Sequence, residues 1–308
     1  MKPGFLVVDK PAGVTSHDVV RIVRAVTGCK KVGHTGTLDP FATGVLPLAL
    51  GGATKLIQFL DEKEKVYVAT LALGHRTTTG DLEGAIAASG GAPDLRRLDA
   101  AVAALIGPQM QTPPAYSAVK VDGRKLYEYA RAGIEKTAEP RPIEVHALDV
   151  LEASPESLRF RLRCSRGTYV RVLGEDLAAG LGSEGHLVAL RRESSGRFGL
   201  DGALTLEELS QLATDQIDWD RAFRRGRDAP DRLEWRPRAE VAAAVEARLL
   251  PVEQAFSLPT VELDEAQRRA LGFGQRVAGP TGRWVALHEG RFCAVMEGDR
   301  ILRSLVAS

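Results

Sequence analysis

The chain has 308 residues, of which 44% are hydrophobic and 26% are charged, and its formal net charge is +1. This composition is typical of a globular protein with enough residues for about two domains, and it excludes a disordered or fibrous chain. No apolar run approaches the ~20 residues that span a bilayer, and the apolar stretch before Asp9 is too short for a signal peptide, so we expect a cytosolic protein with no membrane partner.

Three segments in the first half of the chain predict regular structure. The segment SHDVVRIVRAVTG predicts an amphipathic helix that Ser16 caps and Gly28 ends. The segment VYVATLALG, from Val66, predicts a largely buried strand in which Tyr67 shares a face with Leu71. The segment GRKLYEYARAG predicts a short helix behind the proline-rich turn TPPAY.

The clearest alternation of apolar and charged residues lies in SLRFRLRCS. Apolar side chains alternate there with Arg159, Arg161 and Arg163, which predicts a strand with one core face and one face of guanidinium groups. The next segment, TYVRVLGEDLAAGLG, predicts a helix, and Arg171 falls at the junction before it. Residues 159–197 hold eight arginines against four acidic residues, so the near-neutral total does not exclude a nucleic-acid partner.

The C-terminal third changes in character. Residues 215–238 are charged and irregular, which indicates a connector. Beyond it, AEVAAAVEARLL predicts a helix, and RWVALHEG and RFCAVMEG predict short strands that end at glycines. We therefore expect a large first domain, 1–235, and a small β-rich second domain, 248–308.

Single residues leave the chemistry open. Asp39 before Pro40 is explained by a turn or helix cap, and Tyr67 by a core aromatic position. The nearby glycines match neither of the common phosphate-binding patterns, and G-x-S-x-G, H-E-x-x-H and a second acid beside Asp39 are missing from the sequence. Three widely spaced cysteines indicate neither a zinc site nor a disulfide framework: Cys29, Cys164 and Cys293.

In combination, several blocks are distinctive: GHTGTLDPFATGVL, KVYVATLALG, TTTGDLEG, QTPPAYSAVKVDGRKLYEYARAG, CSRGTYVRVLGEDLAAGLG and HLVALRR. Their residues, order and spacing resemble the TruB family of bacterial tRNA pseudouridine synthases. The resemblance runs from Lys10 to about Leu212 and resumes at Leu250. It implies an α/β fold of the α+β type, with a mixed, mainly antiparallel sheet in the catalytic domain and a PUA-like RNA-binding domain at the C-terminus.

The resemblance also implies roles for individual residues. Asp39 matches the catalytic nucleophile, Tyr67 the aromatic residue that stacks on the target uracil, and Arg171 the arginine that pairs with the catalytic carboxylate. His34 matches the histidine that fills the space left by the everted base. The remaining matched positions are expected to bind substrate: Tyr169 and Leu190, which would line the uracil pocket, and Lys10, Lys55 and Asp81.

The implied reaction is the isomerisation of uridine 55 in the T-loop of tRNA. The base is detached, turned and rejoined through C5 without redox change, so we expect no cofactor, and the nucleotide must be flipped out of its stack. The expected partner is the T-arm of tRNA, with no obligatory protein partner. Two alternatives stay open: a guide-RNA-dependent pseudouridine synthase, and a non-catalytic RNA-binding protein or tRNA chaperone. Attack by Asp39 at C6, attack at C1' and a glycal route also stay open.

Overall fold

The structure is a computed structural model, and it describes residues 1–60, 64–213 and 238–305. The chain forms two compact units, one made of Met1–Glu62 with Ser194–Ser308 and the other of Lys63–Glu193. The predicted connector lies outside the described residues, except for Arg238, where a helix begins. None of the helices in the described ranges has the length and apolar character needed to cross a membrane.

The secondary structure alternates between strands and short helices. The strands are β1 (Gly4–Lys10), β2 (Val32–His34), β3 (Thr43–Leu50), β4 (Glu64–Leu73), β5 (His75–Thr77), β6 (Ile86–Ser89), β7 (Gly107–Gln111), β8 (Lys120–Val121), β9 (Arg124–Lys125), β10 (Arg141–Ala153), β11 (Ser157–Ser165), β12 (Gly185–Ser195), β13 (Leu204–Thr205), β14 (Thr260–Glu262), β15 (Arg283–His288), β16 (Arg291–Glu297) and β17 (Arg300–Ser304). The α-helices are α1 (Ser16–Thr27), α2 (Leu98–Leu105), α3 (Leu126–Arg131), α4 (Val170–Gly180), α5 (Leu206–Gln211), α6 (Arg238–Glu246) and α7 (Glu265–Gly272). Short 3₁₀ helices span Gly51–Phe59, Leu95–Arg97 and Val252–Ala255.

The unit Lys63–Glu193 is built on a sheet with the strand order β12-β4-β11-β10-β7. β11 pairs antiparallel with β4 and β10, and β10 pairs antiparallel with β7. The predicted alternation of β11 is confirmed, because its apolar side chains are buried and its arginines are exposed. Helix α4 is also confirmed, and Gly182, with a φ of 76°, allows the chain to turn just after it.

In the other unit, β1 pairs antiparallel with β3 and parallel with β13, and β2 pairs antiparallel with β3. The mixed, mainly antiparallel sheet that the resemblance implied is therefore confirmed. The predicted helix α1 is present and ends at Gly28, but its cap is Thr15 and not Ser16. Thr15 forms a capping box with Asp18, which leaves the Ser16 hydroxyl available for another task.

The C-terminal segment carries the β-rich structure that was predicted. Its sheet has the order β14-β15-β16-β17 and a core of its own around Trp284. A second buried cluster joins Phe5 and Val45 of β1 and β3 to Val285 and Val295 of β15 and β16. The N-terminal strands and the C-terminal sheet of this unit thus share apolar packing, which stabilises both.

Candidate active site

The turn that carries Asp39 is fixed through the residues on either side. The carbonyl oxygen of Asp39 accepts a hydrogen bond from the Ala42 amide at 3.1 Å. On the N-terminal side, Ser16 Oγ donates to the Leu38 oxygen at 3.0 Å and accepts from the Leu38 nitrogen at 2.8 Å. The predicted turn is present, and it leads into β3 and not into a helix. These hydrogen bonds fix the main chain around Asp39, and Asp39 itself is partly exposed.

Lys10 supports the C-terminal side of the same turn. Its side chain is fully buried, and Nζ donates to the carbonyl oxygens of Pro11 and Val14 at 2.8 Å and of Pro40 at 3.1 Å. The Gly13 amide also donates to the Pro40 oxygen, at 2.9 Å. An ammonium group has three protons to donate, and three backbone carbonyls accept here. The buried Lys10 side chain therefore stabilises the main chain on the C-terminal side of the Asp39 turn.

The other two predicted residues of this unit differ in exposure. His34 is the last residue of β2, is partly buried, and lies opposite Leu48 of β3. Lys55 is exposed on the 3₁₀ helix that follows β3. Its ammonium group is therefore open to a ligand from solvent.

In the other unit, Tyr67 and Arg171 lie on the same side of the sheet. Tyr67 is 6% exposed on β4, opposite Leu162 of β11, and it shares the buried strand face with Leu71 as predicted. Helix α4 packs closely on this face, since a Cβ added at Gly174 would lie 3.2 Å from Leu71 Cδ1. Arg171 precedes Gly174 by three residues, which places both on one side of the helix.

The guanidinium group of Arg171 is buried and has several partners within its own unit. Nη1 donates to the carbonyl oxygen of Thr79, and Nη2 donates to that of Tyr116 at 2.8 Å. Nη1 also lies 3.7 Å from Oδ2 of Asp81, which is itself buried. The Thr79 hydroxyl and the Glu83 amide donate to Oδ1 of Asp81. The charge of each partner is thus offset at close range.

Of the two residues expected to line a uracil pocket, Tyr169 is partly exposed directly before α4. Leu190 is buried on β12. Sequence reasoning missed two residues that hold the main chain next to candidate site residues, Ser16 and Gln111. Ser16 was assigned to a helix cap, and Gln111 opens the distinctive block QTPPAYSA, which was the only available signal.

The arginine row on β11 is less positive than its sequence suggests, because each arginine forms an ion pair with a glutamate. The pairs are Arg159 with Glu152, Arg161 with Glu193, and Arg163 with Glu64. These three arginines therefore present less free positive charge to a phosphate backbone than the predicted face of guanidinium groups implied.

Known proteins resemble this chain in sequence and in fold. The model of the TruB family pseudouridylate synthase N-terminal domain matches residues 24–170. A protein of Aromatoleum aromaticum named tRNA pseudouridine synthase B is 42% identical over 302 residues, which cover 96% of this chain and 89% of that protein. A Geobacter sulfurreducens protein of the same name is 51% identical over 215 residues, covering 68% of this chain and 70% of that one.

Among solved structures, a chain in the crystal structure of a Cbf5-Nop10-Gar1 complex has a TM-score of 0.69 and 25% identity, with coverage of 99% of this chain and 85% of that one. A chain in the structure of an H/ACA RNP bound to a substrate RNA containing 2'-deoxyuridine has a TM-score of 0.66 and 24% identity, with coverage of 97% and 79%. These likenesses support the fold, and the sequence identities support the family. The chain belongs to the TruB family of pseudouridylate synthases and is therefore an isomerase.

Proposed function

We propose that this protein converts uridine 55 in the T-loop of tRNA to pseudouridine, in the cytosol, without a cofactor or an obligatory protein partner. The observation that carries the proposal is the Asp39 turn, in which Ser16 and Lys10 hold the residues on both sides of a partly exposed carboxylate. The curated relatives named tRNA pseudouridine synthase B give the substrate class.

In the proposed reaction Asp39 is the nucleophile. Its task requires an ionised carboxylate that stays in one place while the uracil is detached and turned, and a rigid main chain reduces the cost of holding it there. The hydrogen bonds to Leu38 and Pro40 keep the Asp39 main chain in one position, which a loop without such bonds would not do.

Tyr67 and Arg171 are assigned two further tasks. Flipping a nucleotide out of its stack costs a few kcal/mol of free energy. Stacking of the uracil on the Tyr67 ring offsets about 1–3 kcal/mol of this cost. Arg171 is assigned to pair with the catalytic carboxylate, because an opposite charge close to a carboxyl group favours its ionised form.

The remaining candidates are assigned to substrate binding. His34 fills the space that the everted base leaves, and Tyr169 and Leu190 line the uracil pocket. The exposed ammonium group of Lys55 suits a phosphate contact, which would make binding sensitive to salt. The C-terminal sheet, proposed as a PUA-like domain over 248–308, would extend the RNA contact.

A T-arm hairpin tests this function against its guide-dependent rival. The purified protein is incubated with a hairpin RNA that carries the target uridine, and with a matched hairpin that carries cytidine there. We expect pseudouridine in the first RNA at the target position, detected by mass spectrometry, with nothing added. Turnover that appears only after addition of a second RNA would favour a guide-dependent enzyme, as would a need for partner proteins like those in the Cbf5-Nop10-Gar1 complex.

A further inference from the structure

Gln111 forms a two-way hydrogen bond with the peptide groups of a distant residue. It is the last residue of β7 and is 5% exposed. Its Nε2 donates to the Tyr169 carbonyl oxygen at 3.1 Å, and its Oε1 accepts from the Tyr169 amide at 2.7 Å. The side-chain amide thus pairs with Tyr169 as a neighbouring strand would.

The residue held in this way begins helix α4. Tyr169 is the N-cap, but its side chain makes no capping hydrogen bond, and its carbonyl oxygen also accepts from the Leu173 amide at 3.2 Å. A helix start that lacks a Ser, Thr or Asp cap depends on other groups to fix it. Gln111, 58 residues earlier in the chain, supplies such a group.

The segment that follows Gln111 reaches the same helix a second time. The carbonyl oxygen of Tyr116 accepts from Nη2 of Arg171 at 2.8 Å. The start of α4 is therefore held at the main chain of Tyr169 and at the guanidinium group of Arg171 by one short stretch of chain.

We propose that Gln111 is a positioning residue for the reaction: it fixes the main chain at Tyr169 and thereby the direction of the Tyr169 and Arg171 side chains. This inference rests on the proposed function, since both side chains are assigned to that reaction. A small displacement at a reacting centre lowers the rate of the chemical step much more than it lowers binding.

Two methionine substitutions on one strand test the inference. Gln111→Met keeps the length of the side chain and removes both hydrogen bonds. Gln109→Met is the matched control, because Gln109 also lies on β7 but donates to the carbonyl oxygen of Leu105 at the end of α2, and not to Tyr169 at the start of α4. We expect Gln111→Met to lower the single-turnover rate of pseudouridine formation ~10–100-fold while the Kd for tRNA changes less than about threefold. A rate for Gln111→Met within about twofold of the parent, or an equal loss in Gln109→Met, would overturn the inference.

Hydrogen–deuterium exchange separates this inference from the proposed function. The peptide that spans residues 165–173 should exchange faster in Gln111→Met than in the parent, and at the parent rate in Gln109→Met. If the parent forms no pseudouridine but this difference is present, the proposed function fails and the contact stands. If the parent is active and neither rate nor exchange changes in Gln111→Met, the inference fails.

The pH dependence of the reaction rate of Gln111→Glu tests the hydrogen bond that Gln111 donates to Tyr169. A carboxylate at this position cannot donate to the Tyr169 oxygen, whereas a protonated carboxyl group can. Because position 111 is buried, the pKa of the introduced carboxyl group should be raised well above its ordinary value. The ratio of the variant rate to the parent rate should therefore rise ~10-fold as the pH falls from about 8.5 to about 6. A ratio that does not change with pH would contradict a positioning role for the donated hydrogen bond.

Discussion

Arg171 and Asp81 form an ion pair in which both side chains are almost fully buried. Nη1 of Arg171 lies 3.7 Å from Oδ2 of Asp81, and the two side chains are 4% and 5% exposed. The resemblance assigned Asp81 to substrate binding, and the structure places it beside Arg171. A buried pair contributes little net stability, but removal of Asp81 takes away one of the groups that offset the buried Arg171 charge, at a cost of about 3 kcal/mol.

Asp81→Asn should therefore lower the free energy of unfolding by about 3 kcal/mol, measured by urea denaturation, and should lower the rate of pseudouridine formation. Glu152→Gln is the control, since Glu152 pairs with Arg159 at 2.8 Å on the exposed face of the same unit. The control should lose less than about 1 kcal/mol. Equal losses of unfolding free energy in the two variants would show that the buried Arg171–Asp81 pair contributes no more to stability than an exposed pair.

Lys10→Met tests the support beneath the Asp39 turn. The substitution leaves the carbonyl oxygens of Pro11, Val14 and Pro40 without the ammonium donor, which should cost about 1–3 kcal/mol of unfolding free energy and slow the reaction. Lys55→Met should leave the unfolding free energy unchanged, because Lys55 is exposed. A fully stable and fully active Lys10→Met protein would exclude a supporting role for this lysine.

Tyr67→Phe separates the ring from the hydroxyl group. The ring should keep its packing on the buried face of β4 and its stacking on the uracil, so the Kd for tRNA should change little. We expect a lower single-turnover rate, because we assign the Tyr67 hydroxyl to proton transfer during removal of the C5 proton. An unchanged rate would exclude an essential hydroxyl group.

Glu175 on α4 predicts a pH dependence of stability. Burial raises the pKa of Glu175 above its ordinary value of 4.5, although Arg76 opposes this rise. As the pH rises through the ordinary value, the unfolded state ionises first, so stability falls until the folded-state pKa is passed. Glu175→Gln should raise the Tm at pH 7.5 and have little effect below about pH 4. The exposed Glu139→Gln should show no such difference, and a Tm gain for Glu175→Gln that is equal at both pH values would contradict the burial effect.

Local patterns in the sequence predicted the elements that carry the site. Alternation predicted β11 and the buried face of Tyr67 on β4. Helical spacing predicted α4 with Arg171 at the junction before it, whereas the structure places Arg171 as the second residue of the helix. Helix α1 was predicted with the wrong cap, because Ser16 and Thr15 are both good N-cap residues and only the tertiary partner Leu38 distinguishes them.

Contacts between distant residues could not be predicted from these patterns. Asp81 and Arg171 are 90 residues apart, and periodicity carries no information on such pairs. Lysine is rarely fully buried, so nothing in the sequence indicated that Lys10 is inside. The glutamates that pair with the arginines of β11 lie on other strands, so the alternation along β11 alone could not show that these guanidinium groups are paired.

The most direct test of the proposed function is mass-spectrometric mapping of pseudouridine in an unmodified tRNA transcript, with the parent protein and with Asp39→Asn, and with tRNA binding measured on the same samples. We expect the parent protein alone to form pseudouridine at position 55. The Asp39→Asn variant should form none, although it still binds the tRNA. Pseudouridine formed at position 55 by Asp39→Asn at the parent rate would contradict the catalytic role of the Asp39 carboxylate. Modification by the parent protein of other uridines only would contradict the proposed target position.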